Sequence, residues 1–282
     1  MSGVFDVPFS DYLAMPGWGS GSLRAMRRGP PLRVMWERQN PRGDTDASLL
    51  GRLVHCSVLT PALFDTEFVC KPEDMSFATK EGKAWRAEQE ALIVPHHLFS
   101  TACDITTAVM DKVTVRDTLE AASHREVSLI WDCPISREAC KGRPDWICGH
   151  YVYDLKISRY ADGPALGRRA YWEGWMHQLA HYRTGSQALG LDVRGGRLVV
   201  ASPVPPHLVY TIEVKTDALD LLEIENIETL KAMRECRLAN DWPGTPDSWT
   251  KVEPPVSEIA EFGDVVLEHV DTEIHEEAMS NG

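Results

Sequence analysis

"GRPDWICGHYVYDLKIS", residues 142–158, decides the fold. Its apolar, aromatic and β-branched runs on either side of Gly149-His150 read as two antiparallel strands joined by a tight turn. Strand side chains alternate faces, so Asp154 and Lys156, two apart, share one face while Leu155 points to the other. Asp145, on the preceding strand, lies within cross-strand reach of Asp154. Two readings remain open at this point: edge charges that keep a strand soluble, or a site that holds a cation.

Glu126 opens the run "REVSLIWD" one strand earlier and can come from the same side of the sheet. Three converging carboxylates repel one another, and a hard divalent cation is the usual reason such a cluster is tolerated. Oxygen donors suit Mg²⁺ or Mn²⁺. A lysine beside the metal stabilises charge building on a phosphoryl group, so together these are parts for phosphodiester hydrolysis. Further on, "HQLAHY" places Gln178 and Tyr182 four apart on one helical face, able to orient a lysine or a water by hydrogen bonding. A half-buried polar pair is the competing reading.

Working outward, "GSLRAMRRGPPLRVMWERQ" reads as a short helix broken at Pro30-Pro31, the most basic stretch of the chain. Asp46 or Ser48 is expected to cap a mostly apolar, buried helix through "LLGRLVHCSVL", which leaves His55 pointing into the core or into a site. A polar loop and a charged helix cover 71–94, and another helix covers about 105–122. "REVSLIWD", "RPDWIC" and "YVYDLKIS" are expected as three consecutive strands. A helix follows over about 165–184, then strands "GRLVVAS" and "LVYTIEV", then a long helix over about 217–239. This order of helix, three strands, helix, two strands, helix predicts an α/β or α+β sheet layered with helices.

Six of these segments, in order, resemble the PD-(D/E)xK nuclease superfamily and, within it, the RecE-type exonucleases, also called exodeoxyribonuclease VIII. They are "GRLVHCSVLTPALF", "TKEGKAW", "REVSLIW", "CKGRPDWI", "YDLKIS" and "HQLAHY", and the resemblance spans roughly residues 20–250. It implies a restriction-endonuclease-like central mixed sheet flanked by helices. It also implies that Asp145 and Asp154 bind metal, that the carbonyl of Leu155 completes the shell, and that Lys156 activates or orients water. Glu126 is then a further metal ligand or water-positioning acid, His55 lines the site or binds metal, and Gln178 and Tyr182 support the lysine and the scissile phosphate. Ile157 stands where a threonine usually follows the lysine, and Arg52 and Leu53 replace small residues before the histidine. The activity implied is 5′-to-3′ degradation of linear double-stranded DNA from its ends. The context implied is a homo-oligomer, a ring-like tetramer, working with a single-strand annealing protein in recombination, phage- or prophage-encoded in the bacterial cytoplasm. An endonuclease or helicase-associated nuclease of the same superfamily, and a non-catalytic scaffold, are the alternatives.

The net charge of −13 argues against a uniformly basic nucleic-acid coat and leaves room for a local basic groove. From Lys251 onward nine acids face one lysine, so residues 1–250 form the expected nuclease domain and 251–282 an acidic tail expected to be mobile. The candidates for phosphate contacts are Arg24, Arg27, Arg28, Arg52 and Arg143. The seven cysteines contain no CxxC pair, and the start lacks a signal-peptide pattern, so reduced thiols in the cytosol are expected. No apolar run approaches the ~18 residues of a membrane span. An iron-sulfur cluster of the kind some relatives carry is not expected, because Cys236 is the only cysteine after Cys148. His177 and His181 have the spacing of a zinc pair without the glutamate that a zinc protease needs after the first histidine. His96-His97 reads as an exposed loop pair. Trp131 and Trp146 are expected in the core, with Trp172 and Trp175 better placed to meet substrate.

Overall fold

The computed structural model describes residues 2–40, 43, 45–159 and 163–248, and every element below lies in one compact unit, Met1–Gly244. In chain order the elements are β1 (Gly3–Phe5), α1 (Phe9–Ala14), α2 (Ser20–Arg28), α3 (Pro31–Gln39), α4 (Asp46–Leu59), α5 (Phe64–Glu67) and β2 (Phe68–Cys70). Then come α6 (Lys80–Glu88), β3 (Leu92–Val94), α7 (His96–Met110), α8 (Val113–Glu120), β4 (His124–Arg125), β5 (Ser128–Asp132), β6 (Ala139–Gly142), β7 (Trp146–Cys148) and β8 (Tyr151–Ile157). The chain continues through α9 (Gly163–Trp172), α10 (Trp175–Ala188), β9 (Gly195–Ala201), β10 (Val209–Val214) and α11 (Thr216–Ala239).

The central sheet has the order β10-β9-β8-β7-β4, mixed because β8 and β9 are parallel and the other pairs antiparallel. Parallel neighbours need a crossover, and α9 and α10 supply it. Strands with both faces covered read as near-continuous apolar runs, as "YVYDLKI" and "GGRLVVA" do. Leu155, Val199 and Ala201 face a core built with α4, α7 and α8, while Val152, Leu198 and Val200 face one built with α9, α10 and α11. A second sheet, β1-β5-β6, packs Leu129 and Trp131 against α2, α3 and α11. The expected α+β class, a mixed sheet flanked by helices, is thus the observed one.

Several local expectations are corrected. "REVSLIWD" is not one strand: Arg125 pairs with Trp146 in the central sheet, Ser128 opens a strand of the second sheet, and Glu126 between them has φ of 50°. "RPDWIC" forms a strand only from Trp146, and the "ACKG" before it forms β6, paired with β5. The helix expected over 165–184 breaks at Gly174, whose φ of 77° ends α9 and starts α10. The segment 105–122 is likewise the end of α7 followed by α8, and His96-His97 open α7 with exposed side chains instead of sitting in a loop. The segment expected as one broken helix is two, α2 and α3, because Pro31 starts one at its first position as readily as Pro30 ends the other, and α1 precedes them. The cap of α4 is Thr45: its hydroxyl accepts from Ser48 N–H at 3.2 Å while Ser48 Oγ accepts from Thr45 N–H at 2.7 Å. Ser48 is the returning half of that box, and Asp46 sits in the first turn. The acidic stretch 251–282 lies outside the described residues.

Helix α10 reaches the second sheet through Gly185, where an added Cβ would meet the Trp131 ring at 2.6 Å. Gly185→Ala is therefore expected to destabilise the protein by about 1–3 kcal/mol through overpacking, read from the urea midpoint. A midpoint equal to that of the parent would show that α10 and β5 do not approach this closely.

Candidate metal centre

The site forms where the central sheet is incomplete. β7 pairs with β8 only as far as Trp146↔Tyr153. Beyond that pair the β7-side edge of β8 has no strand partner, and side chains take its place. The Leu155 N–H donates to Asp145 Oδ2 at 2.5 Å, and the Leu155 carbonyl accepts from His55 Nε2 at 2.8 Å. His55 reaches this point because α4 packs on that face of β8. With Nε2 donating, Nδ1 carries the lone pair of the neutral ring, and it lies 3.6 Å from Asp145 Oδ1.

Glu126 enters through the kink between β4 and β5, its N–H donating to the Asp145 carbonyl at 2.9 Å. One donor atom each from His55, Glu126 and Asp145 lie within 4.8 Å of one another. A six-coordinate ion with bonds of about 2.1 Å separates its ligands by roughly 3–4.2 Å, so a small closure brings these three onto one cation. The donors are two carboxylates, hard oxygen ligands, and one imidazole, a borderline nitrogen, a set that can hold a divalent ion. Leu155 is brought to the same spot, and its carbonyl keeps one lone pair beyond the bond to His55.

Asp154 and Lys156 do share a face. Lys156 Nζ lies 2.5 Å from Asp154 Oδ2, with Asp154 buried and the lysine side chain 21% exposed. The contact is an ion pair without hydrogen-bond geometry, since Asp154 Oδ2 has no aligned donor. Asp154 stands outside the three-donor cluster, turned towards α10 and engaged by the lysine. On α10, Gln178 Nε2 donates to Tyr182 Oη at 2.6 Å. Burial, and next the Asp154 carboxylate, hold the Tyr182 phenol protonated well above its usual range. The ring of Tyr182 also closes on Gly142, where an added Cβ would sit 2.8 Å away. Gln178 and Tyr182 are thus beside the acids, bonded to each other and not to Lys156.

The arginines separate by burial. Arg143 donates to Glu126 Oε2 at 2.8 Å, to Ser128 Oγ at 2.7 Å and to the Val7 carbonyl at 3.0 Å, so it positions Glu126. Nothing in the spacing of the sequence pointed to that role. Arg27 donates to Asn226 Oδ1 at 2.8 Å, and burial lowers its guanidinium to about 10. Arg28 bonds Glu173 and the Trp172 carbonyl. Arg52 lies 5.8 Å from the centroid of Phe68, and Arg24 is exposed on α2 beside Gly174. Trp131 and Trp146 are core residues as expected, Trp172 is 64% exposed, and Trp175 is half-buried against the α10-side core. His177 bonds Glu225 and His181 the Lys141 carbonyl, so the zinc-like spacing serves packing. No single helix among the described residues is long and apolar enough to cross a membrane.

No family model and no curated protein matches the sequence. Among solved structures, a "Putative exonuclease" from Eubacterium rectale superimposes over 90% of this chain and 98% of its own, with a TM-score of 0.54 at 14% identity. SSO0001 aligns over 79% of this chain and 88% of its own at 15% identity, with a TM-score of 0.27, too low to define a shared fold. The chain is an α+β protein with the fold of that Eubacterium protein and a cluster of two carboxylates and an imidazole at the edge of its central sheet.

Burial pushes the Asp145 carboxyl up to about 7; His55 counteracts this, and Asp154 and Glu126 add to it. A carboxyl raised on folding favours the folded state while protonated, and that contribution is lost as pH rises from the unfolded value near 4 through about 7. Relative to Asp145→Asn, the metal-free protein should therefore lose thermal stability across that window and level off above it. Mg²⁺ needs the ionised form, so it should raise Tm at about pH 8 far more than at about pH 5.5. Equal Mg²⁺ shifts at the two pH values, or an undiminished shift in Asp145→Asn, would remove Asp145 from the metal centre.

Proposed function

We propose that this chain is a Mg²⁺- or Mn²⁺-dependent deoxyribonuclease that degrades linear double-stranded DNA from an end. The observation that carries the proposal is the convergence of His55, Glu126 and Asp145 within 4.8 Å, one strand away from the Asp154–Lys156 pair. The shared fold with a "Putative exonuclease" supports it. The 5′-to-3′ sense, the 3′ single strand left for an annealing protein, and a tetrameric ring belong to the same proposal through the resemblance to RecE-type exonucleases.

His55, Glu126 and Asp145 hold the cation, with the Leu155 carbonyl as a further oxygen and Asp154 available once its partner lysine turns to substrate. When bound, the cation supplies a polarised water and neutralises charge on the phosphate. Lys156, fixed by Asp154 at the margin of the buried site, sets a positive charge where the phosphoryl oxygens gather charge. Its partial exposure lets it meet a bound strand. Arg143 keeps one oxygen of Glu126 occupied, which leaves the other for the ion. The Gln178–Tyr182 pair closes the α10 side of the acids with a neutral phenol that keeps its proton at neutral pH and so can donate to a substrate oxygen.

Duplex labelled at one 5′ or one 3′ end, next to a closed circle of the same sequence, tests activity and polarity together. Mg²⁺-dependent release of the 5′ label from linear DNA, with the circle intact, is expected. Asp154→Ala and Lys156→Ala should each lower the rate by about 10²-fold or more without unfolding the protein. Cutting of the circle indicates an endonuclease, and absence of both cleavage and Mg²⁺ binding indicates a scaffold.

A further inference from the structure

Away from the candidate metal centre, the fold forms an open cavity of about 610 Å³ between α3, the β5–β6 turn and the segment after α11. Its floor is Trp18, 7% exposed, whose indole N–H donates to Glu138 at 2.8 Å. Glu138 is itself buried and is gripped by Arg237 through Nε and Nη2. A buried carboxylate held by a guanidinium and spent on one indole N–H is a costly way to place a ring, and it locks Trp18 in orientation. Two planar groups rest on that floor: the Arg38 guanidinium, 4.4 Å from the ring centroid, and Trp242, with centroids 5.8 Å apart. Arg137 also lines the cavity; its backbone has φ of 60°, a strained conformation for a residue with a Cβ, and its guanidinium has no acid partner among the described residues. Arg237 is neutralised by Glu138, so the uncommitted charges here are Arg38 and Arg137 against Asp132 at the rim.

A half-exposed indole, a stacked guanidinium plane and a second free guanidinium fit a flat aromatic group that carries an anion. We propose that this cavity binds one nucleotide of a single DNA strand, the base against Trp242 and Arg38 and the phosphate at Arg137. The proposal rests on the nuclease reading for its ligand. The cavity's Ala139 wall leads along β6 to Arg143, the partner of Glu126, over four residues or about 13 Å at 3.3 Å each. That is about four nucleotides at the 3.4 Å step of a B-form stack, and fewer in an extended strand, so a short stretch of one strand spans the distance between the two places.

The same chemistry is found in a free mononucleotide, so both sources enter the test. Binding of fluorescein-labelled oligothymidylate by the full chain is followed by anisotropy in EDTA. Thymidine 5′-monophosphate, thymidine and inorganic phosphate serve as competitors. Trp242→Leu and Arg137→Ala are each expected to weaken oligonucleotide binding about tenfold, with the Mg²⁺-induced stabilisation unchanged. The monophosphate should compete better than thymidine or phosphate. Loss of monophosphate binding in both variants with oligonucleotide binding intact would assign the cavity to the free nucleotide and overturn the strand. Affinities within twofold of the parent for both ligands, or phosphate competing as well as the monophosphate, would overturn the site altogether. A protein that binds the oligonucleotide through this cavity yet never cleaves DNA would refute the nuclease reading and leave the cavity standing.

Discussion

The peptide group of Leu155 is the point on which the rest of the site depends. Its N–H and carbonyl face the side of β8 that β7 no longer covers, deep in the protein, where unpaired backbone groups are costly. Asp145 takes the N–H and His55 takes the carbonyl. Two of the three clustered donors are therefore also the continuation of a sheet ladder. Their positions are held by the requirement that β8 be satisfied, which is why a metal centre can be preorganised before any ion arrives.

The acids around this peptide are kept apart electrostatically by giving each a different partner. Glu126 is matched by Arg143 and Asp154 by Lys156, both at ion-pair distance. Asp145 has only the Leu155 N–H and a histidine at 3.6 Å, and it is the acid that burial raises to about 7. Full ionisation of the cluster thus lacks one positive charge, and a divalent cation is the species that would supply it.

The strand pair was legible because its signals are local. The turn at Gly149-His150, the alternation that puts Asp154 beside Lys156, and the apolar runs of β8 and β9 each follow from residues within one element. Asp145 opposite Asp154 followed from one register step, and the structure places it one step beyond Trp146↔Tyr153. The kink at Glu126 was not legible, because a non-glycine residue with φ of 50° leaves no sequence mark and the two halves of "REVSLIWD" both look like strand. Nor were the partners of the arginines. Which of five guanidiniums bonds Asn226, Glu173 or Glu126 depends on segments 199, 145 and 17 residues apart in the chain coming together, and composition carries no trace of that.

Those partners bear on how a chain of net charge −13 could hold a polyanion. Arg27 and Arg143 are engaged inside the fold by Asn226 and Glu126, and Arg28 is engaged at the surface by Glu173. Drawing such a guanidinium to a phosphate breaks the bond it already makes and leaves its partner unsatisfied, so the net gain is small. On the proposed function, phosphate recognition is better served by Lys156 beside the site and by exposed bases such as Arg24, Arg38 and Arg137. Each phosphate contact adds one unit to the counterion term, so on a chain of net charge −13 the local placement of exposed bases, and not the overall charge, sets the grip.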